Sequence, residues 1–200
     1  MMTVDDNSVN IKPAARNYHH GDLRLAVIET GMRLLENSNA ESLSLREIAR
    51  QTGVSATAIY RHFPDKAALL TALAIEGFER LGRDQAKAMH TAGPGIAGFN
   101  ASGRAYVRFA LAHPTLFRMI MAMAPTNPEL HDNLTTPMQM LQANVAGLAP
   151  PGATQAELRI AVLRAWSSVH GLTMLMLDGQ ISIDDGLIDA VIDTPGAKSA

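Results

Sequence analysis

SLREIARQTGVSATAIYRHFPDKAAL, residues 44–69, packs two short helices and the turn between them into very few residues. Ser44-Leu-Arg-Glu47 has the form of a capping box, in which the serine hydroxyl accepts from the third amide and the glutamate reaches back, so a helix should start here. Thr52-Gly53-Val54 stops it, with glycine supplying the positive φ of a tight exit. Ser55 is the expected N-cap of the next helix, which runs to about His62 because Pro64 forbids continuation beyond Phe63. Short helices joined by so tight a turn cross steeply, and their backbones approach closely enough that only small side chains fit at the contact. Ala49 stands at that contact, Gly53 in the turn and Ile59 on the inner face, with Ile48 and Val54 adjoining. This is helix-turn-helix spacing. The outward face then carries Ser55, Ala56, Thr57, Tyr60 and Arg61, followed by His62 and Lys66. Short polar side chains at a helix N-terminus suit base edges in a major groove, while Tyr, His and Lys at its far end suit phosphates. Ser44 and Arg46 complete the set of candidate DNA contacts.

Working outward, nearly every segment from His20 onward shows helical rather than alternating periodicity, which predicts an all-α chain of about nine helices. Residues 1–17 are polar and without period, and read as a flexible arm. A first helix is expected over about 20–37. A long fourth helix, capped by Asp65, should reach about Met89. After Gly93-Pro-Gly95 come further helices at about 97–112 and 114–123, the second opened by Pro114 at its first position. A seventh lies within 129–148, where Pro137 predicts a break. Thr154-Gln-Ala-Glu157 is a second capping box and opens a helix over about 155–178, and Asp184 caps a short one at 185–193. The resulting organisation is an arm over 1–17, a helix-turn-helix domain over 18–85 with its recognition helix at about 55–62, and a second helical domain over 86–200.

Of the 200 residues, 47% are apolar and 18% charged, enough to bury a sizeable core. Seventeen basic and nineteen acidic side chains leave a formal charge of −2, so a DNA reading rests on arrangement rather than on a global positive field. There is no cysteine, which excludes disulfides and thiolate metal sites. The opening residues lack a secretory apolar region and no uninterrupted apolar run of membrane-spanning length is seen, so the expectation is a cytoplasmic protein without a membrane partner. No His-Glu-x-x-His helix, Gly-x-Ser-x-Gly elbow or phosphate-cradling glycine loop occurs, and neither an enzyme, a metal nor a cofactor is expected.

Ile59-Tyr60-Arg61-His62-Phe63-x-x-Lys66-x-x-Leu69 resembles the pattern that ends the N-terminal three helices of the tetracycline-repressor (TetR) family, over residues 18 to about 81. The resemblance implies a homodimer that places the third helix of each subunit in a major groove of a palindromic double-stranded operator. The fourth helix would join this head to a ligand-binding C-terminal domain. It further implies that Tyr60, His62 and Lys66 hold phosphates and that Ser55 and Thr57 lie nearest the bases or backbone. Ala56 departs from the lysine or other polar residue common in relatives. Tyr106-Val-Arg-Phe-Ala-Leu-Ala-His-Pro-x-Leu-Phe-Arg118 and Trp166-x-x-x-His170-Gly171 resemble the WHG-type C-terminal domain of one branch of that family.

The helix over 155–178 is apolar nearly all round and needs neighbours on more than one side. Trp166, His170 and Met174 share a face onto which Phe109, Phe117, Met121 and Met123 can converge, a composition suited to a small apolar or aromatic effector. The opposite side, Val162, Ala165, Val169, Leu172 and Met176, is expected to form the dimer interface with Leu187, Ile188 and Val191. The competing expectation is a helical dimer that binds a small molecule or a protein and no DNA.

Overall fold

The computed structural model describes residues 20–36 and 38–193, and among these the only regular elements are nine helices. The arm expected over 1–17 lies outside them. In chain order the helices are α1 (His20–Leu35), α2 (Leu45–Thr52), α3 (Ala56–Tyr60), α4 (Lys66–Ala92), α5 (Ile96–Ala112), α6 (Pro114–Met123), α7 (Pro128–Leu148), α8 (Gln155–Leu177) and α9 (Asp185–Ile192).

Local chemistry accounts for most of the boundaries. The Ser44 hydroxyl accepts from the Glu47 amide at 3.1 Å. The Glu47 carboxylate, however, does not complete the expected box, because it accepts instead from Arg50 (2.6 Å) and Gln51 (2.9 Å). A guanidinium one turn along offers a charged partner that the cap amide cannot match. Gly53 ends α2 in the left-handed region, φ 75°, and its amide donates to the Ala49 carbonyl. Ser55 and Asp65 cap α3 and α4 by accepting from Ala58 and Ala68 at 3.2 and 2.8 Å. At α8 the box is complete, with the Thr154 amide donating to Glu157 and the Glu157 amide to Thr154.

Three expectations are corrected. Regular α3 stops at Tyr60, and Arg61 and His62 form a turn in which the amides of His62 and Phe63 both donate to the Ile59 carbonyl at 2.9 Å. α4 continues to Ala92, beyond Met89. Pro137 does not interrupt α7. Proline removes one helical hydrogen bond there, and packing of α7 against both α4 and α8 holds the helix in line across it.

α4 is the spine. It packs against α1, α5, α6 and α7. A single core runs from Leu23, Val27 and Ile48 through Ile59, Phe63, Leu69 and Leu73 to Phe78, Phe117 and Ile120. At Gly77 the approach of α6 is so close that a Cβ would stand 2.5 Å from the Ile120 side chain. A second, smaller cluster joins Val107 of α5 to Leu172 and Met176 of α8 and Ile188 of α9.

Two arginines of α5 fasten α9. Arg108 donates to Asp185 (2.9 Å), and Arg104 bonds Asp193, which also accepts from the buried Asn100 at 3.4 Å. α8 is long and apolar enough to cross a membrane by length and composition, a window the sequence reading missed because scattered polar residues interrupt it. Here it packs one face on α5, α7 and α9.

Candidate nucleic-acid interface and ligand cavity

The helix-turn-helix geometry follows from burial. Ala49, Ile48 and Ile59 are sealed between α2, α3 and the rest of the head, with Ile48 and Ile59 at 0% exposure. With Ile59 held inward, the helical period turns Ser55, Thr57 and Tyr60 to solvent, and Tyr60 is 45% exposed. Ala56 is half-buried on the same short helix. Arg46 and Arg61 are exposed and enter no ion pair among the described residues. Ser44 and Ser55 spend an oxygen lone pair on capping and keep their hydroxyl protons available. Lys66 donates to the Glu41 carbonyl, which ties the loop before α2 to the start of α4 and leaves the ammonium two further protons. His62 is half-buried. The Glu47 carboxyl beside this surface is lowered to about 2, first through its hydrogen bond from Arg50 and then through that from Gln51. Arg24 stands over the Phe63 ring at 5.5 Å and braces α1 against the segment joining α3 to α4.

The second site is a cavity of about 340 Å³ walled by α4, α5, α6, α7, α8 and α9. Its size lies at the small end of the range for drug-sized ligands. Of the expected ligand contacts, Met121 and Trp166 line it. Phe109 and Phe117 are spent on the core at 4% and 0% exposure, and Met123 and Met174 pack against that core without reaching the cavity. His170 also stands behind the wall. Its Nδ1 lies 3.0 Å from the Tyr106 hydroxyl, and Tyr106 does line the cavity. Burial pushes the His170 imidazole below its ordinary value and is the larger influence raising Tyr106, against a smaller lowering influence of Trp166. The hydrogen bond between His170 Nδ1 and the Tyr106 hydroxyl holds the two rings in register. Tyr106 meets Phe117 edge-on at 5.5 Å, so the chain His170–Tyr106–Phe117 links cavity wall to core.

Wall residues absent from the sequence expectations are Phe78, Gln85, Phe99, Ser102, Met138 and Asn144. One signal was available: Gln85 is a lone polar residue on the stripe Phe78, Leu81, Gln85 of α4.

Most of the α8 residues expected at a dimer face are buried within the chain. Val162, Leu172 and Met176, with Ile188 of α9, are buried within the subunit, while Ala165 and Val169 border the cavity. The exposed large apolar groups of α8 are instead Ile160 (49%), Leu163 (47%), Leu175 and, at the cavity, Trp166, with Gly171 between Leu163 and Leu175 facing open space. A helix apolar on all sides carries no mark of which side is inner, and the pairing of α8 with α5 decided it. Leu187 and Val191 of α9 are exposed, and Val191 also reaches the cavity.

Two family descriptions match the chain: "Bacterial regulatory proteins, tetR family" over residues 27–73, and "Tetracyclin repressor-like, C-terminal domain" over 99–194. Tetracycline repressor protein class C of Escherichia coli is 47% identical over 51 residues, which cover 26% of this chain and 23% of that protein. The HTH-type transcriptional repressor DrrR1 of Streptomyces coeruleorubidus is 26% identical over 141 residues, covering 68% and 47% respectively. The chain thus spans less than half the length of the curated relatives it matches. A solved structure of a protein with unknown function from Rhodococcus sp. RHA1 superposes with a TM-score of 0.74 at 32% identity, covering 89% of this chain and 93% of that one.

Proposed function

Because this chain belongs to the tetR family of bacterial regulatory proteins, we propose that it is a homodimeric transcriptional repressor whose grip on a palindromic operator is released by a small effector. The observation that carries the reading is the orientation of α3. Ala49 and Ile59 are shut inside, so Ser55, Thr57, Tyr60 and Arg61 stand on the surface as one polar, aromatic and basic face. That face fits a major groove, with the N-terminal hydroxyls toward base edges and Tyr60, His62 and Lys66 toward phosphates.

The two subunits meet through the outer face of α8, Ile160, Leu163, Gly171 and Leu175, joined by Leu187 of α9. Exposed apolar surface of this extent on two adjacent helices is what an obligate interface covers. Gly171 lets the partner's helix come close. The effector occupies the cavity behind that interface. Its influence on DNA affinity equals its preference for one spacing of the two α3 helices over the other, and no more.

The test is a selection of genomic fragments on the purified protein, followed by binding assays on the recovered sites. Tyr60→Ala combined with Lys66→Ala should lower operator affinity by about a hundredfold or more at fixed salt while leaving the dimer intact. An unchanged affinity, or recovered fragments with no shared two-fold site, would overturn the reading in favour of a ligand-binding dimer without DNA.

A further inference from the structure

We propose that the cavity takes an uncharged aromatic molecule bearing a hydrogen-bond-accepting oxygen, an aryl ketone or a compound of like chemistry, in preference to ions of the same shape. The inference rests on the effector reading and names the chemistry of that site.

Two charged residues border the wall, and both are exposed to solvent. Asp193 already faces Arg104 and the Asn100 amide through its Oδ1. Arg164 keeps its charge in water. The other polar wall groups, Gln85, Ser102, Asn144, Ser168 and Tyr106, are uncharged amides and hydroxyls. An ion moved inside would lose hydration and gain only a solvent-screened counter-charge, whereas a neutral molecule loses little.

One of these groups is poorly served. Gln85 donates its amide proton to the Ser102 hydroxyl at 3.2 Å, an ordinary partner. Asn144, by contrast, directs its Nδ2 at the Met89 thioether, 3.4 Å away. A thioether is a weak acceptor, so a carbonyl oxygen brought to this place gains a donor that gives up little. Met89 lies one helical turn beyond Gln85 on α4, which puts the amides at the same end of the cavity. Phe78 and Leu81, earlier on that helix, leave the other end apolar, and Phe99 and Trp166 supply further aromatic wall. This lining suits a hydrocarbon body with one acceptor at its tip.

Four naphthalenes of nearly one outline test this on the full chain: 2-acetylnaphthalene, 2-isopropylnaphthalene, 2-naphthoate and 2-naphthylmethylammonium. Trp166 is the single tryptophan and lines the cavity, so quenching of its fluorescence reports occupancy. The ketone should bind about tenfold or more tightly than either ion, and several-fold more tightly than the hydrocarbon. Asn144→Leu should erase the lead of the ketone over the hydrocarbon while the hydrocarbon still binds, which also shows that the variant has kept its fold. An ion binding as tightly as the ketone, a ketone lead that survives Asn144→Leu, or no binding by any probe would overturn the proposal. The charge preference is read on the unaltered protein and needs no variant. Ketone binding without any change in operator affinity would sink the effector reading alone and leave the ligand class standing.

Discussion

The α2–α3 head and the α8–α9 face are both helix pairs set against a larger body, yet their inner and outer sides were chosen by different forces. In the head the choice is local. Ser44, Gly53, Ser55 and Pro64 fix where each helix starts and stops, and once Ile59 is the only large aliphatic group on a five-residue helix, Tyr60 and Thr57 have nowhere to go but outward. In α8 the choice is made at long range. Its residues are apolar nearly all round, and the docking of Leu172 and Met176 on α5 and α9, with Val162 buried nearer the start of the helix, separates interior from exterior. Patterned helices announce their orientation; unpatterned ones take it from neighbours.

The sharpest way to break this comparison is a pair of adjacent substitutions in α8. Val162→Asp buries an unpaired charge in the subunit and should cost about 4 kcal/mol or more of stability, read as a large fall in the midpoint of chemical denaturation. Leu163→Asp, one residue along, should leave the subunit folded and shift the dimer towards monomer, with a dissociation constant raised about thirtyfold or more in sedimentation experiments. If Leu163→Asp unfolds the chain while Val162→Asp only separates subunits, the inner and outer faces have been assigned the wrong way round.

A smaller effect sharpens the other half. Ser55→Ala removes the cap of α3 and should cost about 1 kcal/mol, with Ser55→Gly costing only a few tenths, both measured by thermal unfolding. Equal losses would mean that the hydroxyl does not organise the head.

The smallest expected effect concerns His170. Its folded-state value is depressed by burial, so below the ordinary value of 6.5 the unfolded chain takes up a proton before the folded one does. The stability that this group contributes is complete above pH 6.5 and declines as the pH falls from there towards the folded-state value. Melting temperature should therefore drop shallowly with acidification through that window, and His170→Gln should flatten the slope. The same substitution should disturb Trp166 emission, since the two rings lie 6.2 Å apart.

How much could be read in advance follows the same division. Caps, glycine and proline punctuation gave six of the nine helices nearly to the residue, and the α3 face as well, because those signals act within a few positions. Pro137 misled because tertiary packing on both sides of α7 overrode a local rule. The cavity was half seen. Met121 and Trp166 were reached through their residue type, whereas Gln85, Ser102 and Asn144 come from three helices that share no sequence neighbourhood.

Gly77 is where the long spine admits its nearest neighbour. On α4 it stands between Lys66, beside the turn that follows α3, and Gln85, at the polar end of the cavity, and there the Ile120 side chain of α6 lies almost on the backbone. The stretches of α4 on either side rise roughly 16 and 12 Å. Alanine at position 77 would force the Ile120 side chain to give way, so the seating of α6 on the spine is set by the missing Cβ.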